Sequence, residues 1–129
     1  MILLDTSFLV DCFSGPKRSS PALHLAFEAG EKVLLPSLTL YEWLRGPRLP
    51  EQIAIQRKLF PDESAIPFGP REAAVSAQIY RAVNGARRRE IDLAIAACAI
   101  VRECPLWTLN AADFKDIPGL KLYRPPARS

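Results

Sequence analysis

Residues 1–7 read Met-Ile-Leu-Leu-Asp-Thr-Ser, an apolar run that stops at an acid followed by two hydroxyl side chains. Ile2-Leu3-Leu4, ended by Asp5, fits a short buried strand. Thr6 to Phe13 continues as a helical turn until the break at Ser14-Gly15-Pro16. The same alternation of strand and helix recurs along the chain. Ser20-Pro21 opens a helix that Gly30 closes. Val33-Leu34-Leu35-Pro36 reads as a second strand, and Ser37 as the N-cap of a helix running to about Leu44, stopped by Gly46-Pro47. Pro50 to Phe60 is helical. Ser64 to Phe68 is a weaker strand, placed near an edge by Pro67. Pro70 to Val83 is amphipathic, with Ala73, Ala74, Ala77 and Tyr80 on one side and Arg71, Gln78 and Arg81 elsewhere. Ile91 to Val101 is apolar almost all round and reads as a buried helix. Leu106 to Leu109 is a strand, and Lys121-Leu122-Tyr123 a last one.

Strands separated by helices imply parallel pairing through right-handed crossovers. The expected architecture is therefore α/β: a three-layer α/β/α sandwich around a mostly parallel sheet. One domain is expected over residues 1–124, with a frayed tail at 125–129. In such sheets the site lies beyond the carboxyl ends of the strands. That rule singles out Asp5 and the Thr108-Leu109-Asn110 segment.

At 129 residues the chain can bury a real core. Charged residues or prolines interrupt every apolar run before the roughly 18 residues of a membrane span. The acid at position 5 and the missing basic stretch argue against a signal peptide. Cys12, Cys98 and Cys104 are odd in number and lack C-x-x-C spacing, which argues against a disulfide framework and a zinc site. Together these features point to the cytoplasm. The net charge of +3 permits nucleic-acid binding without requiring it.

Four acids then need separate readings. Asp5 is either a functional carboxylate at a strand end or the N-cap of the turn at Thr6-Ser7. Glu42 is the one acid of its helix, and Thr39, Glu42 and Arg45 fall at i, i+3 and i+6 as a solvent stripe would. Asp92 opens a helix whose next residues are nearly all apolar. A carboxylate there is costly unless it is paired or binds a cation; as a first-turn acid it also suits the helix dipole. Asn110 and Asp113 have the spacing of an N-cap with an acid at N3. No one of these acids decides the function.

In order along the chain, however, the segments Leu3-Leu4-Asp5-Thr6-Ser7, Thr39-Leu40-Tyr41-Glu42 with Gly46, Asp92-Leu93-Ala94-Ile95-Ala96-Ala97, and Thr108-Leu109-Asn110 with Asp113-Phe114 resemble the PIN-domain nucleases, and most closely their VapC-type toxins. The resemblance runs from residue 1 to about residue 124. It implies an acidic cluster of Asp5, Glu42, Asp92 and Asp113, with Thr6, Ser7, Thr108 and Asn110 as supporting polar groups. It also implies a ribonuclease acting as a toxin, a homodimer, a small antitoxin partner, and products with a 5′-phosphate and a 3′-hydroxyl. A noncatalytic PIN-like module binding RNA or protein, and a housekeeping RNA-processing nuclease, stand as alternatives.

Converging carboxylates repel one another and need protonation, basic partners or a cation. All-oxygen donors select hard ions, so Mg2+ or Mn2+ is expected. Such an ion supports hydrolysis by an activated water attacking phosphorus in line. Arg45, Arg48, the run Arg87-Arg88-Arg89 and Lys17-Arg18 are the cations available for phosphate contacts. Tyr41 and Trp43 are read as core residues, with base stacking as the alternative. His24 is the chain's one histidine, which excludes a two-histidine ribonuclease, and no Walker loop or Gly-x-Ser-x-Gly elbow occurs. A receiver-type pocket would need an acid after the middle strand, where Ser64–Phe68 has none. A haloacid-dehalogenase phosphatase would need an acid at the position of Ser7.

Overall fold

The computed structural model describes residues 1–126. The strand read at Ile2–Leu4 (β1) is the middle of a parallel sheet ordered β2-β1-β3, with β2 at Val33–Leu34 and β3 at Leu106–Trp107. Ile2 lies opposite Val33, Leu3 opposite both Leu34 and Leu106, and Leu4 opposite Trp107. Side chains of a strand alternate between faces, and the core divides accordingly. Ile2 and Leu4 join Phe8, Leu9, Trp43 and Phe60 in one apolar cluster, whereas Leu3 joins Leu93, Ile95, Leu106 and Phe114 in the other. An all-apolar run is what a middle strand covered on both faces requires.

The helices are α1 (Thr6–Phe13), α2 (Ser20–Glu28), α3 (Ser37–Arg45), α4 (Pro50–Leu59), α5 (Pro70–Ala82) and α6 (Glu90–Val101). Asp5 caps α1, as its N-cap reading expects: its Oδ1 accepts the Thr6 N–H at 2.7 Å. Gly30 closes α2 with a φ of +81°, a conformation open to glycine without strain. α5 and α6 pack against each other on one side of the sheet. Short 3-10 turns at Ala86–Arg89 and Ala111–Asp113 lead into α6 and follow β3.

Several expectations are corrected. The N-cap of α3 is Pro36, not Ser37: Pro36 has an extended backbone and its carbonyl accepts the Leu40 N–H at 3.1 Å, which leaves Ser37 inside the first turn. The strand expected at 64–68 shrinks to a single parallel bridge between Pro36 and Ile66, where Pro36 and the neighbouring Pro67 cannot donate. The last strand likewise reduces to one bridge between Leu106 and Leu122. α5 turns its other side inward: Glu72 and Ile79 are buried, while Ala73, Ala74, Ala77 and Tyr80 are exposed. Glu72 can be buried because Arg102 pairs with it at 3.2 Å. Residues 127–129 of the expected tail lie outside the described residues. Cys12, Cys98 and Cys104 are all buried and free. Among the described residues no helix is long and apolar enough to cross a membrane.

Candidate active site

Asp5 is held at the carboxyl end of β1 by one backbone bond to β3 and by its own side chain. Its N–H donates to the Trp107 carbonyl at 3.0 Å. Oδ2 accepts from Ser7 Oγ at 2.8 Å and from Thr108 Oγ1 at 2.6 Å. With Oδ1 on the Thr6 amide, three donors fix a carboxylate that is only 3% exposed. Hydrogen bonds to an ionised acceptor are the strong ones, so this orientation is rigid. Ser7 Oγ also accepts the Leu109 N–H at 3.1 Å, and Thr108 Oγ1 accepts that of Asn110 at 3.0 Å. The turn after β3 is thereby tied to the turn after β1.

Glu42 reaches the same place from α3. Thr6 Oγ1 donates to its Oε1 at 2.5 Å, and Arg45 Nη2 to its Oε2 at 3.2 Å. The solvent-stripe expectation fails at Thr39, which is completely buried. Thr39 Oγ1 donates to the Leu4 carbonyl at 2.9 Å. Extending the β1–β2 register puts Leu4 opposite Leu35, so the ladder donor for that carbonyl belongs to residue 36. Residue 36 is proline and has no N–H. Thr39 supplies the missing donor and draws α3 against the end of β1, one turn before Glu42. Its position three residues after a strand-ending proline is the one available signal.

Asp92 sits in the first turn of α6, half-buried, and among the described residues no hydrogen-bond donor reaches its carboxylate. Burial first, then the charges of Asp5, Glu42 and Asp113, push its carboxyl up to about 6; Arg89 opposes this. Asp5, Thr6, Ser7, Glu42, Asp92 and Asn110 line one open cleft of about 510 Å³, walled by Val10, Leu109 and Phe114. Sequence reasoning misses these walls, since apolar residues in a polar site carry no sequence signal. Asp113 lies outside this lining and is exposed, yet close enough to act on Asp92. Asn110 stands at the N-cap of the turn that follows it but makes no side-chain cap bond; its side chain lines the cleft instead. A larger, mostly apolar hollow of about 820 Å³ lies between α2 and Tyr123–Pro126, but Glu31 is the one acid along it. Charge, not size, picks out the site.

The expected basic residues divide. Arg45, Arg87, Arg88 and Arg89 line an adjoining recess of about 290 Å³ with Glu42 and Asp92, and the first three are exposed. Arg89 is taken up internally by Asp116, Asp113 and Asn84. Arg48 stacks over the buried Trp43 ring, 4.2 Å from its centroid. Tyr41, expected in the core, is 53% exposed beneath Arg45. His24 is an ordinary helix residue facing Glu28 at 3.0 Å.

A family model for the PIN domain matches residues 2–120. The chain belongs to the PIN-domain family. Ribonuclease VapC1 of Methanocaldococcus jannaschii is 34% identical over 95% of the chain and 86% of its own length. VapBC2 of Rickettsia felis, solved with a DNA fragment from its promoter, superposes with a TM-score of 0.73 at 21% identity, covering 95% of this chain and 98% of that one. A toxin–antitoxin complex from Klebsiella pneumoniae superposes at 0.66 with 28% identity, covering 93% and 95%. In this PIN-domain chain the three carboxylates of the cleft come from three separate elements, so no local segment contains the site.

Proposed function

We propose that the chain is a divalent-metal-dependent endoribonuclease and the toxin of a toxin–antitoxin pair. The convergence of Asp5, Glu42 and Asp92 on one open cleft carries this reading. The name and the complex of its relatives support the two halves of it, RNA hydrolysis and an antitoxin partner. A reducing cytoplasm suits three buried free thiols. A homodimer belongs to the same reading.

The donor set fits a hard cation. Every polar atom offered by Asp5, Glu42, Asp92, Asp113 and Asn110 that can bind a metal is oxygen. Among the described residues no three His, Cys, Asp or Glu side chains close into a cage around one point. Mg2+ does not need one, since it keeps several waters and takes one or two carboxylates. When bound, Mg2+ or Mn2+ would polarise the phosphoryl group and activate water. Asp5 and Asp92 would hold it, with Glu42, Asp113 and Asn110 beside them.

The protein's part is orientation. Thr6, Ser7 and Thr108 fix Asp5, and Thr6 with Arg45 fixes Glu42. Arg87 and Arg88, next to this acidic centre, would grip flanking phosphates and offset its repulsion for RNA. The test is incubation of purified protein with structured RNAs in Mg2+, Mn2+ or EDTA. Metal-dependent cleavage, lost in Asp5→Asn and Asp92→Asn with folding retained, is the expected outcome. RNA binding without cleavage in any metal would replace the enzyme with a noncatalytic module. A neighbouring short reading frame whose product co-purifies would establish the antitoxin; its absence would favour a housekeeping nuclease.

A further inference from the structure

Arg89 is the last residue of the 3-10 turn that runs into α6, three residues before Asp92. Its side chain is 19% exposed, well covered for a guanidinium. Nη2 donates to Asp116 Oδ1 at 2.6 Å and Nη1 to Asp116 Oδ2 at 2.9 Å, a two-pronged pair. Nη2 also donates to the Asp113 carbonyl at 2.6 Å, and Nη1 to the Asn84 carbonyl at 3.2 Å. One side chain thus ties three stretches of backbone together.

The segment it ties has few other polar anchors. From Asp113 to Ile117 the backbone bonds are local, Asp113 to Asn110, Phe114 to Ala111 and Ile117 to Phe114, each spanning three residues. Phe114 and Ile117 fasten the apolar side into the core. Among the described residues, the side-chain bonds joining Asp113–Ile117 to another element are those of Arg89. Arg89 takes the Asp113 carbonyl and leaves its carboxylate without a donor among the described residues. Planarity explains the residue type: a lysine carries the charge but cannot make the fork.

We propose that Arg89 is a positioning residue of the acidic site. Its clamp on Asp113 and Asp116 sets the spacing between the Asp113 carboxylate and Asp92 in the first turn of α6. The consequences for cation binding and for cleavage rest on the metal-dependent nuclease reading; the clamp itself does not.

Two variants test it, Arg89→Lys and Asp116→Asn. Asp116 is 47% exposed, so its substitution leaves the core intact. Three quantities are measured: amide exchange in the metal-free protein, Mn2+ affinity by electron paramagnetic resonance, and RNA cleavage. In both variants exchange at Asp113, Phe114 and Ile117 accelerates while the middle of α6 is unchanged. Mn2+ affinity falls about tenfold, the size of effect typical of residues that orient metal ligands. The KM for RNA stays within about twofold. Unchanged exchange at 113–117 overturns the clamp. Faster exchange with unaltered Mn2+ affinity reduces Arg89 to a structural tie and overturns the positioning role. A raised KM with a weaker salt dependence and normal Mn2+ affinity makes Arg89 an RNA contact, which also overturns it. Wild-type protein that binds Mn2+ but cuts no RNA removes the nuclease reading, and exchange and affinity then decide the proposal alone.

Discussion

Replacing Thr39 with valine isolates the bond that brings Glu42 to the site. Valine keeps the shape of the side chain, so no cavity opens; it deletes one hydroxyl. That hydroxyl is fully buried and donates to the Leu4 carbonyl at 2.9 Å. Because residue 36 is proline, no ladder N–H stands ready to replace it. A buried carbonyl left without a donor costs about 1–3 kcal/mol, against about 0.5–1.5 for an ordinary hydrogen bond exchanged with water. For a domain of this size about 4 °C accompanies each kcal/mol, so Tm should fall by about 4–12 °C. Chemical and thermal unfolding measure this in EDTA, where no cation contributes. Thr39→Ser supplies the control: it keeps the donor and loses a methyl group worth about 1 kcal/mol. Cleavage should follow the hydroxyl, falling in Thr39→Val and surviving in Thr39→Ser, since Glu42 sits one turn further along α3. Equal stability of Thr39→Val and wild type would refute the reasoning. So would a serine variant that is less stable and less active than the valine one, because packing rather than the donor would then hold α3.

Three further outcomes are expected. Asp92→Asn should reduce cleavage by about 100-fold or more, beyond what residues that merely orient ligands cost. The metal-free variant should melt no lower than wild type, because no donor is orphaned and repulsion from Asp5, Glu42 and Asp113 is relieved. Arg87→Ala combined with Arg88→Ala should flatten the plot of log RNA affinity against log salt by about 1.4, since each neutralised phosphate on a single strand contributes about 0.7 to the slope; filter binding in an Asp5→Asn background measures it. Glu72→Gln should be less stable than wild type at neutral pH. Burial pushes the Glu72 carboxyl up, but its own N–H, the Gly69 N–H and Arg102 together outweigh it and hold it below its ordinary 4.5. That stability is present above 4.5 and disappears as pH falls through the folded value, so denaturation midpoints of the two proteins should converge in acid.

Where the sequence is legible, one physical requirement acts alone. A strand covered on both faces must be apolar throughout, and Ile2–Leu4 says so; a helix needs a start and a stop, and prolines and glycines mark them. Legibility fails where a polar residue is buried with a distant partner. Glu72 looks like the outer face of α5 until Arg102, thirty residues on, accepts it into the interior. Thr39 looks like the outer face of α3 until Leu4 claims its hydroxyl. Arg89 looks like one more cation in a basic run until Asp116 takes its fork. In each case local pattern assigns the residue to solvent, and a long-range hydrogen bond reverses the assignment.

The same logic bears on the fourth polar position of the site. Asn110 and Asp113 fit a capped turn by spacing, and both also carry a functional reading. The expected side-chain cap is missing, so Asn110 is not consumed by local structure. It lines the cleft with Asp5, Glu42 and Asp92, and Asp113 does not. Asp113 acts on Asp92 from outside the lining, through charge, and its own backbone is what Arg89 holds. On the proposed reading the two residues divide the role: a neutral oxygen at the cleft wall, and a carboxylate whose distance is set by the clamp. Three acids already crowd the cleft, so a neutral fourth ligand adds a donor without adding repulsion. Asn110→Asp should then weaken the metal-free fold while leaving Mn2+ binding in place, whereas Asp113→Asn should reduce Mn2+ affinity without unfolding the protein. Unfolding in EDTA and Mn2+ titration separate the two; unchanged Mn2+ affinity in Asp113→Asn would remove Asp113 from the cation site and refute this division.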